Sequence, residues 1–448
     1  MKLKGIKIQK LFDLFDYDIQ LNQEDSLTIL TGPNGYGKTT ILNIIYNIFN
    51  QRFFYFQTLK FESISIYFPD EKQVTITKKP GKTQTLQSIR IVNNQQQLVV
   101  NHIPTVDIQI DLYEKGNISD AFVYNSDIES KLINELNKYI PIQRISQNSV
   151  LDNRTGKQIS LRDFLIENIN YLPIKIINLI NKQGNEKISQ VLNSTNVYII
   201  KEERLLTQTR ASNQLNSFDR TIEMYAKELQ NMIAQKQIEA YQITQRLDSS
   251  FPKRLIECKE TLSKEAFDIQ FAALTEKQNQ LQQYGISTSQ QDVTEYNENT
   301  ANVLTVYLKD SEEKAKVFDD LLSKINLFVR ILNEKRFTFK YITIDSSKGF
   351  QFKTDNGDIL NLTDLSSGEQ QEVVLFYELL FKTNPNTLIL IDEPEISLHV
   401  IWQKAFVQDL QEIAKMKQIS FLVSTHSPQI INDRWDLTKD LYDLANVK

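Results

Sequence analysis

The stretch Gly32–Thr40 constrains the fold more than any other part of the chain, because its spacing is that of a phosphate-binding loop. It reads Gly-Pro-Asn-Gly-Tyr-Gly-Lys-Thr-Thr. A short apolar run, residues 26–30, leads into the loop, and residues 40–48 follow it with the apolar pattern of a buried helix. A strand, a glycine-rich loop and a helix in this order predict an α/β fold.

The chemistry of the loop follows from its residue types. The glycines let backbone N–H groups turn toward phosphate oxygens, and the helix N-terminus adds a partial positive charge. Lys38 is expected to reach the β- and γ-phosphates, and the Thr39 hydroxyl is placed to bind Mg²⁺. The loop residues expected around the nucleotide are Pro33, Asn34, Gly35, Gly37, Lys38, Thr39 and Thr40.

Composition bounds the class of protein. A length of 448 residues predicts two to four domains, and a net charge of −5 means that a nucleic-acid partner would need a local basic patch. Cys258 is the single cysteine, so no internal disulfide is possible. The N-terminus lacks the apolar core of a signal peptide, and no run of about 18 apolar residues appears. We therefore expect a cytoplasmic protein without a membrane partner.

The central part of the chain is expected to be mostly helical. Apolar residues recur at three- and four-residue steps in 126–182, and again in two long stretches separated by the polar segment 284–300. Phe251-Pro252 is expected to end the first long helix. Helices are expected at 219–248, 263–283 and 301–334, which predicts two antiparallel helical arms, joined at the polar segment, in a short coiled-coil-like hairpin. The predicted segments are an α/β part with a β-meander (1–125), a helical lobe with a return strand (126–200), the arm (201–335) and a second α/β part (336–448).

The return strand, Asn196–Ile200, is followed by a polar group that contains Glu203. In open α/β sheets, ligands bind beyond the carboxyl ends of the strands. Glu203 is therefore either part of a ligand site or a residue where the strand emerges into solvent.

A second set of site residues follows the arm. The small residues of Leu365–Gln370 precede a helix and predict a second anion site. The apolar strand 387–391 ends in Asp392 and Glu393, where one carboxylate can hold Mg²⁺ and the other can polarise a water molecule. A further apolar strand, 421–424, leads to His426.

These motifs, in this order, resemble those of the ABC-type ATPase superfamily in its SMC-like and OLD-like branch. The resemblance implies an α/β ABC-type head with a mixed sheet, a helical lobe and a short arm. It also implies ATP and Mg²⁺ as cofactors, with Thr39 and Asp392 holding the metal. Glu393 and His426 would be catalytic. The nucleotide-contacting residues of the signature would be Ser366, Ser367, Gly368 and Glu369.

In this family, the signature of one chain meets the phosphate loop of another. The resemblance therefore implies a head-to-tail dimer or a larger oligomer, with Ser366 and Gly368 on the γ-phosphate of the opposite subunit. The family's Q-loop glutamine is not visible, and Glu203 occupies the equivalent place. Leu398-His399-Val400 is similar to the Leu-His-Pro of the OLD-like branch but lacks its proline.

No nuclease signature appears, and the residues after Asn432 are too few for a TOPRIM domain. The layout resembles the PtuA ATPases of Septu anti-phage systems, which implies a separate HNH nuclease of the PtuB type as partner. ATPases of PARIS-type and retron systems, and repair ATPases such as RecF, are the alternatives, while the arm disfavours a transporter subunit. DNA is a further candidate partner, at Lys253-Arg254 and Lys335-Arg336.

Overall fold

The computed structural model confirms the predicted α/β class. It describes residues 3–92, 95–124, 136, 142–144, 149–152, 156–160, 164–165, 176, 185–200, 206–208, 218–259, 261–286, 296–335, 337, 339–396, 398 and 400–445. Its strands are β1 Gly5–Leu11, β2 Phe15–Gln20, β3 Leu27–Thr31, β4 Ser63–Tyr67, β5 Lys72–Val92, β6 Gln95–Glu114, β7 Asn117–Tyr124, β8 Ile142–Arg144, β9 Ser149–Asp152, β10 Lys157–Ser160, β11 Asn196–Ile200, β12 Leu206–Gln208, β13 Phe218–Arg220, β14 Lys340–Asp345, β15 Gly349–Thr354, β16 Ile359–Leu360, β17 Thr387–Asp392, β18 Ser420–Ser424 and β19 Thr438–Asp440.

The helices are α1 Lys38–Phe49, α2 Tyr55–Thr58, α3 Glu186–Asn193, α4 Thr221–Glu257, α5 Lys264–Gln283, α6 Ala301–Lys316, α7 Asp319–Lys335, α8 Ser367–Tyr377, α9 Val400–Lys417, α10 Pro428–Ile431 and α11 Leu441–Leu444. The chain forms two compact units. The first comprises Met1–Glu202, Asn384–Ile396 and Gln403–Lys448, and the second comprises Glu203–Thr383 and Ser397–Trp402.

The core of the first unit is a five-stranded sheet in the order β11-β17-β18-β3-β19. Its neighbouring strands are all parallel. Leu27–Thr31 is buried throughout, as expected of a strand covered on both faces. Helix α1 packs on β11, β17 and β18 through isoleucines and a leucine that are fully buried. The phosphate loop is thus held between a central strand and a helix packed on the same sheet.

The first unit also contains a six-stranded antiparallel sheet in the order β2-β1-β4-β5-β6-β7. The strand pieces predicted across 62–115 are longer than their patterns indicated. β5 and β6 pair along nearly their whole length, from Lys72↔Glu114 to Val92↔Gln95, with one register shift between Pro80 and Thr83. The two strands therefore form one long hairpin.

The prediction of a purely helical lobe over 126–182 missed a sheet. β8, β9 and β10 pair antiparallel inside that stretch. Strands of three or four residues are too short to show a period, so the flanking helical pattern dominated the interpretation. Leu136, Phe164 and Leu165, which gave that pattern, do lie in helical residues and are buried.

The arm belongs to the second unit and differs from its prediction in two respects. Helix α4 continues through Pro252 to Glu257, so the expected break there was wrong. Proline removes one hydrogen bond to the carbonyl four residues earlier, that of Asp248, which is exposed and can bind water instead. The predicted returning helix is divided into α6 and α7, and α6 packs against both α4 and α5. The arm therefore has three helices packed together at this level, in place of the predicted two-armed hairpin.

The second unit continues into a three-stranded sheet, β14-β15-β16, with the predicted turn at residues 355–357. An aromatic cluster joins this sheet to three helical elements. Tyr377, at the end of α8, stacks on Tyr225 of α4 with ring centroids 4.5 Å apart, and it also meets Phe328 of α7 and Phe350 of β15. Because α8 carries the signature at its start, the base of the arm and the signature helix share one core.

Candidate functional site

Three neighbouring parallel strands of the first unit end at the same edge of the sheet. β3 leads into the phosphate loop, β17 ends at Asp392, and β18 leads to His426. Asp392 pairs with Ser424, and Ser424 pairs with Leu30, so the three strand ends lie at the same level. Residues far apart in the chain are thereby brought to one edge, where open α/β sheets bind ligands.

The phosphate loop has the backbone geometry that its glycines predict. Gly37 precedes α1 with φ 85°, and no side chain caps the helix. An added Cβ at Gly37 would lie 3.1 Å from Leu11 and 3.2 Å from the Phe12 ring. The first N–H groups of α1 therefore remain available to an anion, and glycine is needed for both conformation and space.

Lys38 is buried and lies within the loop. Its Nζ donates hydrogen bonds to the carbonyl oxygens of Gly32 at 2.9 Å and Pro33 at 3.2 Å. Burial lowers the pKa of Lys38 below its ordinary value, and the nearby carboxylates, led by Glu393 and Asp392, oppose this shift. A buried cation among carboxylates is a suitable partner for a polyphosphate accompanied by Mg²⁺.

Two predicted metal ligands from distant parts of the chain meet directly. The Thr39 hydroxyl donates a hydrogen bond to Asp392 Oδ1 at 3.1 Å, and the Ser424 hydroxyl donates to the same oxygen. Hydroxyl and carboxylate oxygens are ligands that Mg²⁺ prefers, and Mg²⁺ usually keeps several water molecules beside one or two protein ligands. Thr39 and Asp392 therefore fit the group expected there. Ser424 was missed, since a serine inside an apolar strand carries no signal of its own.

Glu393 and His426 lie next to each other beyond the strand ends. His426 Nε2 is 3.7 Å from Glu393 Oε1, and the side chains are 33% and 27% exposed. Glu393 has a left-handed φ of 43°, and its backbone N–H donates a hydrogen bond to the Ser424 carbonyl oxygen at 3.0 Å. A non-glycine residue held in this conformation at a strand end is typical of a functional position. Both groups can reach a ligand at the edge.

The signature residues lie in the second unit, where they build the start of α8. The Ser366 side chain accepts a hydrogen bond from the Glu369 N–H, and the Glu369 carboxylate accepts from the Ser366 backbone, which is a capping box. Lys340 Nζ donates to Glu369 Oε2 at 2.9 Å. Partial burial raises the pKa of Glu369, but hydrogen bonds from Lys340 and Ser366 outweigh it and hold that pKa below its ordinary value.

The phosphate loop is also held by contacts of Tyr36, a variable position of the motif, and by residues outside the motif. The Tyr36 ring lies between those of Phe15 and Tyr442, with centroids 5.1 and 5.9 Å away. The Tyr17 hydroxyl donates to the Tyr36 carbonyl at 2.8 Å. The Thr31 hydroxyl, at the end of β3, also donates a hydrogen bond to the Asp440 side chain at 3.2 Å. This support was missed because no motif includes Phe15 or Tyr17, and because Asp440 and Tyr442 lie about 400 positions from the loop.

Some predicted positions are differently placed or lie outside the described residues. Glu203 and His399 are both outside them, so the Q-loop assignment stays a prediction. Arg254 donates from its two terminal guanidinium nitrogens to the Asp310 carboxylate, and it also donates to the Leu247 carbonyl. Its charge is thereby used inside the arm, which weakens the Lys253-Arg254 pair as a phosphate-binding cluster.

The comparison with protein families gives a match that covers most of the chain. Residues 1–431 match the AAA ATPase domain. The chain belongs to this family. The match includes the phosphate loop, the signature and the two strand ends that carry Asp392 and His426.

Two shorter stretches of this AAA ATPase are similar to other proteins. A probable ATPase of retron Vc95 from Vibrio cholerae is 32% identical over 87 residues, which is 17% of this chain and 16% of that protein. A probable iron chelatin transport ATP-binding protein of Helicobacter pylori is 34% identical over 70 residues, 16% of this chain and 26% of that protein. The aligned parts thus span about a quarter or less of each relative.

Solved structures of Smc heads also align with the chain. The Smc head domain of Pyrococcus furiosus with an extended coiled coil, bound to the C-terminal domain of ScpA, is 13% identical at a TM-score of 0.34, covering 96% of this chain and 90% of that one. The SMC head domain of Thermotoga maritima is 12% identical at 0.33, covering 96% and 91%. Scores of this size do not by themselves define a shared fold.

Within the described residues of the AAA ATPase, no helix combines the length and the apolar character needed to cross a bilayer.

Proposed function

We propose that this AAA ATPase binds ATP with Mg²⁺ and hydrolyses it at the edge of the parallel sheet in its first unit. The observation that carries the proposal is the meeting of Thr39 with Asp392 and of Glu393 with His426 at three aligned strand ends. These groups come from both ends of the chain, and together they supply a metal site, a base and a polar neighbour.

Each residue has a distinct role in the proposed reaction. Lys38 and the first N–H groups of α1 bind the phosphates. Thr39 and Asp392 would hold Mg²⁺, which would neutralise charge on the phosphate oxygens when bound. Glu393 orients a water molecule and accepts its proton through Oε1 or Oε2. His426 stands beside Glu393 and contacts the transferred phosphoryl group.

The test compares ATP binding with ATP turnover. Glu393→Gln should bind ATP as the wild type does but lower kcat by at least about 100-fold, because an amide cannot accept the proton. Lys38→Ala should abolish binding by removing the charge on the phosphates. Glu24→Gln removes an exposed carboxylate of the same unit and should change neither quantity. Wild-type turnover in Glu393→Gln would reject the assigned base.

We further propose that a second copy completes each ATP site. Ser366 is the N-cap of α8 and Gly368 lies in its first turn, and the N–H groups at a helix N-terminus suit an anion. The family resemblance places such a signature on the γ-phosphate of another subunit, in a head-to-tail dimer with two sites or a larger oligomer. Ser367 lies exposed between them, and Glu369 supports the turn from inside.

The biological role that we propose is control of a separate effector nuclease, of the HNH type found beside PtuA, in anti-phage defence. The arm supports this role because it offers exposed apolar side chains, among them Ile256, Ile269 and Val303. The match to a retron ATPase also favours defence, and a retron-associated or PARIS-like system is the nearest alternative. A RecF-like or SMC-like repair role is the alternative from outside defence, with DNA as partner.

The arm can be shortened at the level where α4 meets α6. Lys314 pairs with Asp248 at 3.0 Å, so α4 and α6 run side by side there. Wild-type ATP turnover is the check that a shortened chain folds. Replacing residues 249–309 by a short Gly/Ser linker removes all of α5, including Gln280 and the following Tyr284, which are hydrogen-bonded to Asn326 of α7. This also removes most of a separate apolar cluster formed by Phe267, Leu274, Leu304, Leu308 and Ala315.

We expect this shortened chain to bind and hydrolyse ATP but to lose both co-purification with the nuclease and protection of cells from phage. Lys253→Met in the full-length arm is the matched control and should keep all four properties. If the shortened chain still binds the nuclease and protects cells, the arm is not the docking surface.

A further inference from the structure

Glu395 holds the segment that carries His426. The backbone N–H of His426 donates a hydrogen bond of 2.6 Å to Glu395 Oε1. The other carboxylate oxygen, Oε2, is buried and has no hydrogen-bond partner among the described residues. A carboxylate that accepts from a backbone N–H makes a stronger hydrogen bond than a neutral acceptor does. Among the described residues, the Glu395 carboxylate thus accepts one hydrogen bond, and its donor is the backbone N–H of His426.

A second connection joins the same two segments. The Gln403 side chain accepts a hydrogen bond from the Ser427 hydroxyl at 2.6 Å and donates to the Glu395 carbonyl at 3.4 Å. Ser427 in turn donates its N–H to Thr425 at 3.0 Å. Ser427 is thus tied through Gln403 to the turn that begins at Glu393, and Thr425 is held by Ser427 and by Leu30 of β3.

This support matters because no regular structure holds His426. β18 ends at Ser424 and α10 begins at Pro428, so residues 425–427 belong to neither a strand nor a helix. The partner side chain, Glu393, is set by its own strained turn, with φ 43°. The 3.7 Å separation of His426 Nε2 and Glu393 Oε1 therefore depends on how the two turns are joined.

We propose that Glu395 is a positioning residue for ATP hydrolysis, acting through the backbone of His426. The proposal rests on the proposed function, in which His426 contacts the phosphoryl group. Glu395 touches neither ATP nor metal in this account. Its carboxylate sets the place of the imidazole relative to Glu393, and a shift of about 1 Å at such a site can lower a rate by about 100-fold.

A double-mutant cycle tests this proposal, with kcat and KM for ATP measured for each chain. Glu395→Ala should lower kcat by about tenfold or more and leave KM within about twofold, because Lys38 and the first N–H groups of α1 carry most of the binding of ATP and are not moved. His426→Ala should be at least equally slow. The chain with both substitutions should be no slower than His426→Ala alone, since two residues acting as one unit are not additive. Glu24→Ala is the control.

Two conservative variants keep the test decisive if Glu395→Ala does not fold. Glu395→Gln retains an acceptor at the same reach and should keep kcat within about threefold of the wild type. Glu395→Asp retains the charge but withdraws it by one methylene, so it should be about tenfold slower. If Glu395→Asp were instead faster than Glu395→Gln, the charge of the side chain and not its reach would support kcat. That result would overturn the proposal.

The remaining outcomes separate this inference from the proposed function. If His426→Ala is slow but Glu395→Ala has the wild-type kcat, Glu395 has no positioning role and the proposed function stands. Additive losses in the double variant would show that Glu395 acts independently of His426, which also overturns the inference. If His426→Ala itself has the wild-type kcat, the role given to His426 in the proposed function is wrong.

Discussion

Glu369 shows how a single carboxylate can organise the start of a helix. It accepts hydrogen bonds from the Ser366 hydroxyl and from Lys340 Nζ, each at 2.9 Å. The resemblance predicted a nucleotide contact for this residue, and in the structure its carboxylate faces the protein's own groups. The signature turn is therefore shaped by an ion pair with a strand that no motif includes.

This ion pair predicts how the second unit responds to acid. The folded pKa of Glu369 lies below the ordinary value of 4.5, so the carboxylate stabilises the fold above that value. The contribution is lost as pH falls below 4.5 and through the lowered folded pKa. The free energy of unfolding should therefore fall less steeply between pH 5 and about pH 3 in Glu369→Gln than in the wild type. Denaturant titrations measure this. Glu298→Gln, at an exposed position, should retain the wild-type slope.

The residues of the site differ in how far the sequence could predict them. Lys38, Thr39, Asp392 and Glu393 belong to short motifs whose spacing implies their chemistry. Ser424 and Glu395 make hydrogen bonds with residues about 30 positions away, and no local sequence pattern predicts those contacts. The contacts arise because β17 and β18 are neighbours in the sheet, and strand order cannot be predicted from the local pattern of one sequence.

At the scale of elements, the arm shows the same division between local and distant information. The amphipathic pattern predicted helices at α4 and α5, and in the structure the Ser263 side chain caps α5. The continuation of α4 through Pro252 depends instead on the contacts made beyond it. Arg254, two residues after the proline, binds Asp310 of α6 and so holds the last turns of α4 in place.

This ion pair predicts a measurable contribution to stability. Asp310 is 9% exposed and Arg254 is 29% exposed, so removing the arginine leaves a carboxylate mostly buried and unpaired. Arg254→Met should lower the free energy of unfolding by about 1–3 kcal/mol, less than for a fully buried pair. Lys253→Met, at a neighbouring side chain that is 77% exposed, should leave it unchanged. Equal stability of both variants would show that the arm does not depend on this pair.

At the scale of the whole molecule, the described residues divide the chemistry between two units. The first carries the phosphate loop, the proposed metal ligands, Glu393 and His426, and the second carries the signature and the arm. In the proposed function, a second copy of the chain completes each site, so that each ATP lies between one chain's loop and another chain's signature. Neither copy should then hydrolyse ATP alone.

Mixing two inactive variants tests this claim most directly. Lys38→Ala destroys the loop, and Gly368→Glu places a negative charge where the signature would meet phosphate while sparing the Ser366 cap. In a mixed dimer, one site carries both defects and the other carries none. Each variant alone should show no ATP turnover, and the equimolar mixture should recover a substantial part of the wild-type rate. A mixture as inactive as its components would contradict the account.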